Sequence, residues 1–177
     1  MQHPAVATFD DIWVADRYAA TLHPKWRHAV IGGHPWLAPP DPGTTKRYDF
    51  AHLAYLWGRR EGMVNDLVHK HGLKAAPTHG QYGNACTRSL YESRAMLSMH
   101  QYPVPIIAPL RIAKAAAHGL PVVHEAVRDA FPHVDGYDLL DVPFVTQAFA
   151  GAFKALTQER SAELSFNLQQ TLHVKWS

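Results

Sequence analysis

The sequence predicts an all-α protein made of stacked antiparallel helical hairpins, a short repeat-like solenoid preceded by an irregular arm. Between Tyr48 and Pro143, apolar helices alternate with small-residue breaks and Pro-bearing turns at intervals of roughly 30 residues. Tyr48 and Tyr82 lie 34 residues apart, and the same offset relates Leu56 to Leu90. Stacked hairpins produce such periods because one hairpin cannot bury its apolar face alone. We found no convincing alternation of apolar and polar residues of the kind that predicts a strand.

The composition indicates an ordered protein. Hydrophobic residues make up 47% of the 177-residue chain and charged residues 18%, which excludes the disordered class. The formal net charge of +2 is too balanced for the clustered basic footprint of a typical nucleic-acid-binding protein. The single cysteine, Cys86, excludes an internal disulfide and fits a reducing compartment such as the cytoplasm or the mitochondrial matrix. No apolar run is long enough to predict a membrane span.

Two regions are expected. Residues 1–47 are predicted to form a first helix, with Thr8 as its cap, and then an extended arm. In the arm, seven Gly and Pro residues between positions 32 and 43 disfavour regular structure. Residues 48–177 are predicted to form the helical hairpin-repeat domain. Its expected helices span residues 49–60, 63–71, 82–90, 92–101, 110–118, 122–131, 138–156 and 161–172.

The segment 48–87, YDFAHLAYLWGRREGMVNDLVHKHGLKAAPTHGQYGNACT, resembles a pentatricopeptide repeat and the opening of the next one. In that family a Tyr opens the first helix, small residues divide the hairpin, and a Gly-x-x-Pro-like turn precedes the next Tyr. Tyr48, Gly58 with Gly62, the turn 72–77 and Tyr82 match those features. The resemblance implies an RNA-binding helical repeat protein, although family members are typically longer and more basic than this chain.

In size, helical hairpins and composition, the chain also resembles the eighteen-kilodalton subunit on the catalytic head of euglenozoan mitochondrial ATP synthase. This resemblance implies a non-catalytic subunit without cofactors that docks on a larger protein complex on the matrix side of mitochondria. The expected partner-binding residues are Trp26, Trp36, Leu37 and Trp176, because large apolar side chains in an irregular arm and tail are efficient interface anchors.

Cys86 is the candidate catalytic residue in an alternative hypothesis, a cysteine amidase. It lies near a predicted helix start, where a thiolate is stabilised, and Gln81 could donate to an oxyanion. The string Asn84-Ala85-Cys86 is similar to the nucleophile motif of bacterial cell-wall amidases. Those enzymes also need a strand-borne Gly-His segment downstream, which this sequence lacks, so a buried structural cysteine is the favoured interpretation.

Metal and phosphate motifs are not found in the sequence. No two of the thirteen histidines are three or four residues apart, the spacing that would place both on one helix face. His69 and His71 point in opposite directions on a helix, so no zinc site is expected. Gly32-Gly33 lacks the Lys-Ser/Thr pair of a phosphate-binding loop.

Overall fold

The computed structural model describes residues 12–14, 24–28, 43–101, 109–126 and 138–174. Six strands and five helices lie in this part of the chain. In order they are β1 (Ile12–Val14), β2 (Trp26–His28), β3 (Tyr48–Ala51), α1 (Arg59–His69), α2 (Gly83–Tyr91), β4 (Ser93–Ser98), α3 (Pro109–Ala117), β5 (Val122–Glu125), β6 (Leu140–Val142), α4 (Thr146–Ala155) and α5 (Gln158–Val174). Strands and helices alternate along most of the chain, so the protein has an α/β fold.

The central element is a four-stranded sheet with the strand order β3-β4-β5-β6. All three pairings are parallel, with Phe50 opposite Ala95, Leu97 opposite Val123, and Val123 opposite Leu140. All four carboxyl ends therefore meet at one edge of the sheet. The strands β1 and β2 form a separate parallel pair.

The two faces of the sheet are covered by different helices. Phe50, Leu97 and Val123 lie in one buried cluster with side chains of α1 and α4, on what we call the first face. Their neighbours Ala51, Met96 and Val122 lie in a second cluster with side chains of α2 and α3, on the second face. Since successive strand residues point to opposite faces, the molecule is a three-layer α/β/α sandwich. Helix α5 contributes Leu164 to the first cluster and Leu168 to the second.

The all-α prediction is wrong, and the burial of the strands explains why. In β4, Ala95, Met96 and Leu97 are all fully buried, because helices cover both faces. A parallel strand in this position has a continuous apolar run with no polar alternation, which periodicity does not distinguish from a buried helix. The predicted helix 92–101 is therefore β4, and the predicted helix 122–131 begins with β5. The predicted helix 49–60 contains most of β3 and a loop, and 138–156 divides into β6 and α4.

The helical repeat is also wrong. Tyr48 lies in a strand, whereas Tyr82 is the residue before α2. Met63 and Leu97 are also separated by 34 residues, but Met63 lies in α1 and Leu97 lies in β4. The sequence offset therefore relates residues in unlike elements. Three predicted helices are present at nearly their expected positions, 82–90 as α2, 110–118 as α3 and 161–172 within α5, and 63–71 overlaps α1.

Only short segments of the predicted N-terminal region can be compared with the structure. Ile12–Val14, placed in the first predicted helix, is a strand, and Trp26–His28, placed in the irregular arm, is another. Most of residues 1–42 lies outside the described residues. In the part of the chain that the structure describes, no helix has the length and apolar character needed to cross a membrane.

Candidate functional site

The carboxyl ends of β3 and β4 lie beside each other, but the chain leaves them in opposite directions. The helix after β3, α1, packs on the first face, and the helix after β4, α3, packs on the second face. Adjacent parallel strands whose helices diverge in this way leave a crevice between their carboxyl ends, and open α/β sheets bind ligands outside the carboxyl ends of their strands. We refer to this place as the edge crevice.

Three arginines begin the helices at the edge crevice. Arg59 and Arg60 are the first residues of α1, and Arg111 lies in the first turn of α3. Burial, and to a lesser extent the nearby positive charge of Arg60, lowers the pKa of Arg111 to about 10. Burial also lowers the pKa of Arg60. The negative charge of Glu125 opposes this shift, and the positive charge of Arg59 adds to it by a smaller amount. The guanidinium groups are therefore close enough to repel one another.

Glu125, at the end of β5, neutralises Arg59. Its carboxylate accepts from Arg59 Nη2 at 2.7 Å and from Nη1 at 3.1 Å, and it accepts from the His100 backbone N–H at 2.8 Å. Arg59 also donates to the His100 carbonyl at 3.2 Å and stands 3.5 Å from the centre of the Phe144 ring. The Arg59 guanidinium and the Glu125 carboxylate therefore neutralise each other through a two-fold hydrogen bond.

Arg60 and Arg111 have no such partner among the described residues. Arg60 is 7% exposed and its Nε has no hydrogen-bond acceptor there. Arg111 donates from Nη1 to the Met99 carbonyl at 3.2 Å, and no carboxylate in the described part of the chain forms a salt bridge with either group. Buried charges are costly unless they are paired, so the buried Arg60 and the partly buried Arg111 favour an anion in the edge crevice.

His52 follows β3 directly and forms part of the same crevice. It is 4% exposed, and its Nδ1 lies 2.9 Å from the Leu97 carbonyl oxygen. Since a carbonyl oxygen only accepts, Nδ1 carries the hydrogen and Nε2, which has no partner among the described residues, is an acceptor. Burial lowers the pKa of His52 to about 4, the Leu97 hydrogen bond opposes this shift, and Arg111 and Arg60 add to it. The imidazole is therefore neutral at pH 7.

The first turn of α1 supplies further donors. Gly58 precedes the helix with φ 59° and ψ −130°, and no side chain caps the exposed N–H groups of this end. The N-terminus of a helix carries partial positive charge and uncommitted N–H groups, which favour an anion. Only glycine adopts this backbone conformation without strain, so Gly58 allows α1 to start at the edge crevice.

A pocket of about 240 Å³ adjoins the edge crevice, and we call it the aromatic pocket. Its walls come from the loop after β3, the turn before α2, and the facing sides of α2 and α3. The lining residues are Leu53, Ala54, Tyr55, Thr78, His79, Gly80, Gln81, Tyr82, Cys86 and Lys114. Thr78 links this pocket to the crevice, because its hydroxyl donates to the His52 carbonyl at 2.6 Å.

The rim of the aromatic pocket consists of exposed rings. The hydroxyl oxygens of Tyr55 and Tyr82 are 3.5 Å apart, and these side chains are 65% and 76% exposed. The His79 ring meets Tyr55 edge-on, with 5.7 Å between the ring centres. The three side chains therefore give the aromatic pocket an exposed rim on which a flat ring can stack.

Cys86, the candidate nucleophile of the alternative amidase hypothesis, lies in this pocket. It is 4% exposed in α2, and Lys114 Nζ lies 3.7 Å from its Sγ. Gln81, the expected oxyanion donor, accepts at Oε1 from the Ser89 hydroxyl at 2.8 Å. No histidine of the described residues forms a hydrogen bond with Cys86. The sequence therefore identified a residue of the pocket, but the contacts of Cys86 do not provide the base that the amidase hypothesis requires.

The predicted partner-binding residues are not brought together by the described part of the chain. Trp26 lies in β2, and its backbone pairs with Ile12. Trp36, Leu37 and Trp176 lie outside the described residues. Within the described ranges, no three His, Cys, Asp or Glu side chains are grouped closely enough to hold a metal ion.

Sequence reasoning missed His52, Arg59, Arg60, Arg111 and Glu125. A signal was present, because His52, His100 and Glu125 each come at the end of an apolar run. That signal has meaning only if the runs are parallel strands, whose carboxyl ends meet at one edge. A comparison with protein-family models gives no match, and a search among curated proteins gives none.

Proposed function

We propose that this protein binds a small phosphorylated ligand at the edge crevice. The observation that carries the proposal is the position of Arg60 and Arg111, one buried and one partly buried guanidinium group without a carboxylate partner among the described residues. They lie at the carboxyl ends of the strands, where open α/β sheets bind ligands. An anion in this place would pair with both charges and remove the cost of burying them.

Phosphate fits this site better than a carboxylate does. Arginine binds phosphate through two parallel N–H···O bonds, and a helix N-terminus adds backbone donors. Two unpaired guanidinium groups and the uncapped start of α1 together match a group that carries up to two negative charges. A single carboxylate would leave one guanidinium without a counter-charge.

The aromatic pocket supports a planar ring as the organic part of the ligand. The rings of Tyr55 and Tyr82 lie at its rim, and Lys114 and Thr78 place polar groups within it. Stacking of a ring on an aromatic side chain contributes about 1–3 kcal/mol per base in nucleic-acid complexes. A nucleotide combines a ring with phosphate and is therefore the ligand class that we propose.

The proposal is tested by thermal unfolding with adenosine monophosphate and inorganic pyrophosphate. A ligand at 100 times its Kd stabilises the folded state by about 2.7 kcal/mol. For a domain of this length, the expected rise in Tm is roughly 5–10 °C. Sodium chloride at equal ionic strength controls for unspecific salt effects, and sodium acetate tests whether a carboxylate suffices.

Arg60→Gln is the most direct variant, because it removes a buried charge without breaking a hydrogen bond of the described residues. We expect a roughly 10- to 100-fold loss of pyrophosphate affinity, since a charged hydrogen bond contributes about 1.5–3 kcal/mol. Arg160→Gln changes the net charge equally at an exposed site on α5 and should bind normally. Equal binding by both variants, or no saturable shift with either ligand, would contradict the proposal.

The structure does not test the hypotheses of complex docking and RNA binding that the sequence suggested. Docking on a larger mitochondrial complex stays a prediction, because Trp36, Leu37 and Trp176 lie outside the described residues. RNA binding also stays a prediction, although the helical repeat that suggested it is absent from the described fold. No contact of Cys86 supports hydrolysis over a structural role.

A further inference from the structure

His124 lies beyond the arginines, at the carboxyl end of β5. It is 1% exposed, and its Nδ1 is 2.8 Å from Oδ1 of Asp141 on the neighbouring strand β6. These two residues are directly paired in the parallel register of β5 and β6. The Asp141 side chain is 46% exposed, so the pair joins a buried ring to a carboxylate at the surface.

The contact with Asp141 fixes the chemistry of the His124 ring. An ionised carboxylate only accepts, so Nδ1 carries the hydrogen and donates it to Asp141. In the neutral ring, Nε2 is then a bare acceptor. This Nε2 is buried and has no hydrogen-bond partner among the described residues. An unsatisfied buried acceptor costs about 1–3 kcal/mol, which a donor from a bound molecule would remove.

The position of His124 relates it to the proposed ligand. Its ring meets the His100 ring edge-on with 5.2 Å between centres, and the His100 carbonyl accepts from Arg59. The next residue, Glu125, holds Arg59 in place. The aromatic pocket follows β3, Arg111 donates to the Met99 carbonyl after β4, and His124 is the residue before the end of β5. The three groups therefore all lie at the carboxyl edge of the sheet.

We infer that His124 accepts a hydrogen bond from a hydroxyl group of the ligand bound in the edge crevice. Asp141 acts as a positioning residue, because it keeps Nε2 without a proton. The inference rests on the proposed phosphate site and specifies its ligand further, as a phosphate ester with a hydroxylated substituent. A buried nitrogen that accepts from a ligand hydroxyl discriminates against a ligand analogue that lacks this hydroxyl, because the nitrogen then stays without a hydrogen-bond donor.

The experiment compares glycerol 3-phosphate with propyl phosphate, which has the same carbon chain without the two hydroxyls. We expect the full-length protein to bind glycerol 3-phosphate about tenfold more tightly, measured by calorimetry. In His124→Phe this preference should fall to about one, because the ring remains and the acceptor is lost. His118→Phe is the matched control, since His118 is another buried histidine whose Nε2 has no partner but lies after α3, away from the crevice.

A spectroscopic measurement on the unmodified protein does not depend on the folding of a variant. Nitrogen NMR of the His124 ring should show a protonated Nδ1 and a bare Nε2, and Nε2 should shift when glycerol 3-phosphate is added. Asp141→Asn should increase the population with hydrogen on Nε2, because an amide can donate to Nδ1. The preference for the hydroxylated ester should then decrease although His124 is intact.

The outcomes separate the two proposals. Equal binding of both esters, with binding weakened by Arg60→Gln, would overturn the role of His124 and leave the phosphate site standing. Failure of both esters to bind, with pyrophosphate still bound, would overturn the inference about His124 alone, and failure of pyrophosphate and adenosine monophosphate as well would overturn both proposals. An Nε2 signal that does not change with glycerol 3-phosphate would show that a permanently bound water or nothing occupies this acceptor, and would overturn the inference.

Discussion

Arg59 and Glu125 are joined by two hydrogen bonds, of 2.7 Å and 3.1 Å, that tie the first residue of α1 to the last residue of β5. These residues are far apart in sequence, and the pair crosses the edge of the sheet past the end of β4. Glu125 also accepts from the His100 backbone N–H, at 2.8 Å, so one carboxylate fixes the loops after β4 and β5 together. The geometry of the edge crevice therefore depends on this residue.

Glu125→Gln should destabilise the fold by about 2–4 kcal/mol, because it leaves Arg59 without its counter-charge in a partly buried place. The free energy of unfolding from urea titration measures this loss. Glu163→Gln breaks an exposed pair with Arg160 on α5 and should cost less than about 1 kcal/mol. If the two variants lose equal stability, Glu125 has no special structural role.

His52 should make the stability depend on pH. Its pKa is about 4 in the folded protein against an ordinary value of 6.5, so the unfolded chain binds a proton that the folded protein excludes. This contribution is fully present above pH 6.5, decreases as the pH falls, and is exhausted below pH 4. Between pH 6.5 and pH 5 the loss should be about 2 kcal/mol.

His52→Gln should reduce this slope, because glutamine does not titrate. Urea titrations of both proteins at several pH values between 7 and 5 provide the comparison. A smaller slope should remain in the variant, since burial also lowers the pKa of His118. The hydrogen bond to the Lys114 carbonyl opposes this shift, and the positive charges of Lys114 and Lys46 add to it. Identical slopes would show that His52 does not titrate as described.

The sequence predicted local structure better than the fold. The Ala-rich segment from Leu110 to His118 has one apolar side and a following Gly119, so its helix could be placed within one residue of α3. The strands could not be recognised in the same way, because β4 and β5 are buried on both faces and lack alternation. The 34-residue offset between Tyr48 and Tyr82 was a coincidence of composition.

The candidate site could be predicted only in part. Cys86 was a candidate only in the alternative amidase hypothesis, because it lies near a helix start, and in the structure it lines the aromatic pocket. Arg60 and Arg111 are 51 residues apart, and they meet only because β3 and β4 pair in parallel and their helices diverge. Such a cluster depends on the topology of the sheet, which the sequence alone did not provide.

Gly58→Ala should destabilise the protein by about 1–2 kcal/mol. The added Cβ meets no atom within 4 Å, so the expected cost arises from the backbone, whose φ of 59° is strained for alanine. Gly62→Ala is a matched control in the same helix, where the added Cβ also meets nothing and φ is not positive. It should stabilise the protein by about 0.5–1 kcal/mol, because alanine favours a helix interior. Opposite signs in thermal unfolding are expected, and a neutral Gly58→Ala would refute the assigned turn.

Tyr82→Ala tests whether the aromatic pocket holds the ring of the ligand. The side chain is 76% exposed, so its removal should change the free energy of unfolding by less than about 0.5 kcal/mol. Loss of a stacking partner should weaken adenosine monophosphate binding by roughly 5- to 100-fold, corresponding to about 1–3 kcal/mol. Pyrophosphate has no ring, so its affinity should stay unchanged in the same variant.

Phe166→Ala is the control for Tyr82→Ala, since Phe166 is an aromatic residue of α5 that is 58% exposed and does not line the pocket. It should bind both ligands normally. A parallel loss of pyrophosphate affinity in Tyr82→Ala would mean that the substitution disturbs the arginines through the loop that Thr78 ties to His52. Unchanged binding of adenosine monophosphate would show that the ring lies elsewhere, because an exposed stacking residue contributes to affinity only through direct contact with the ligand.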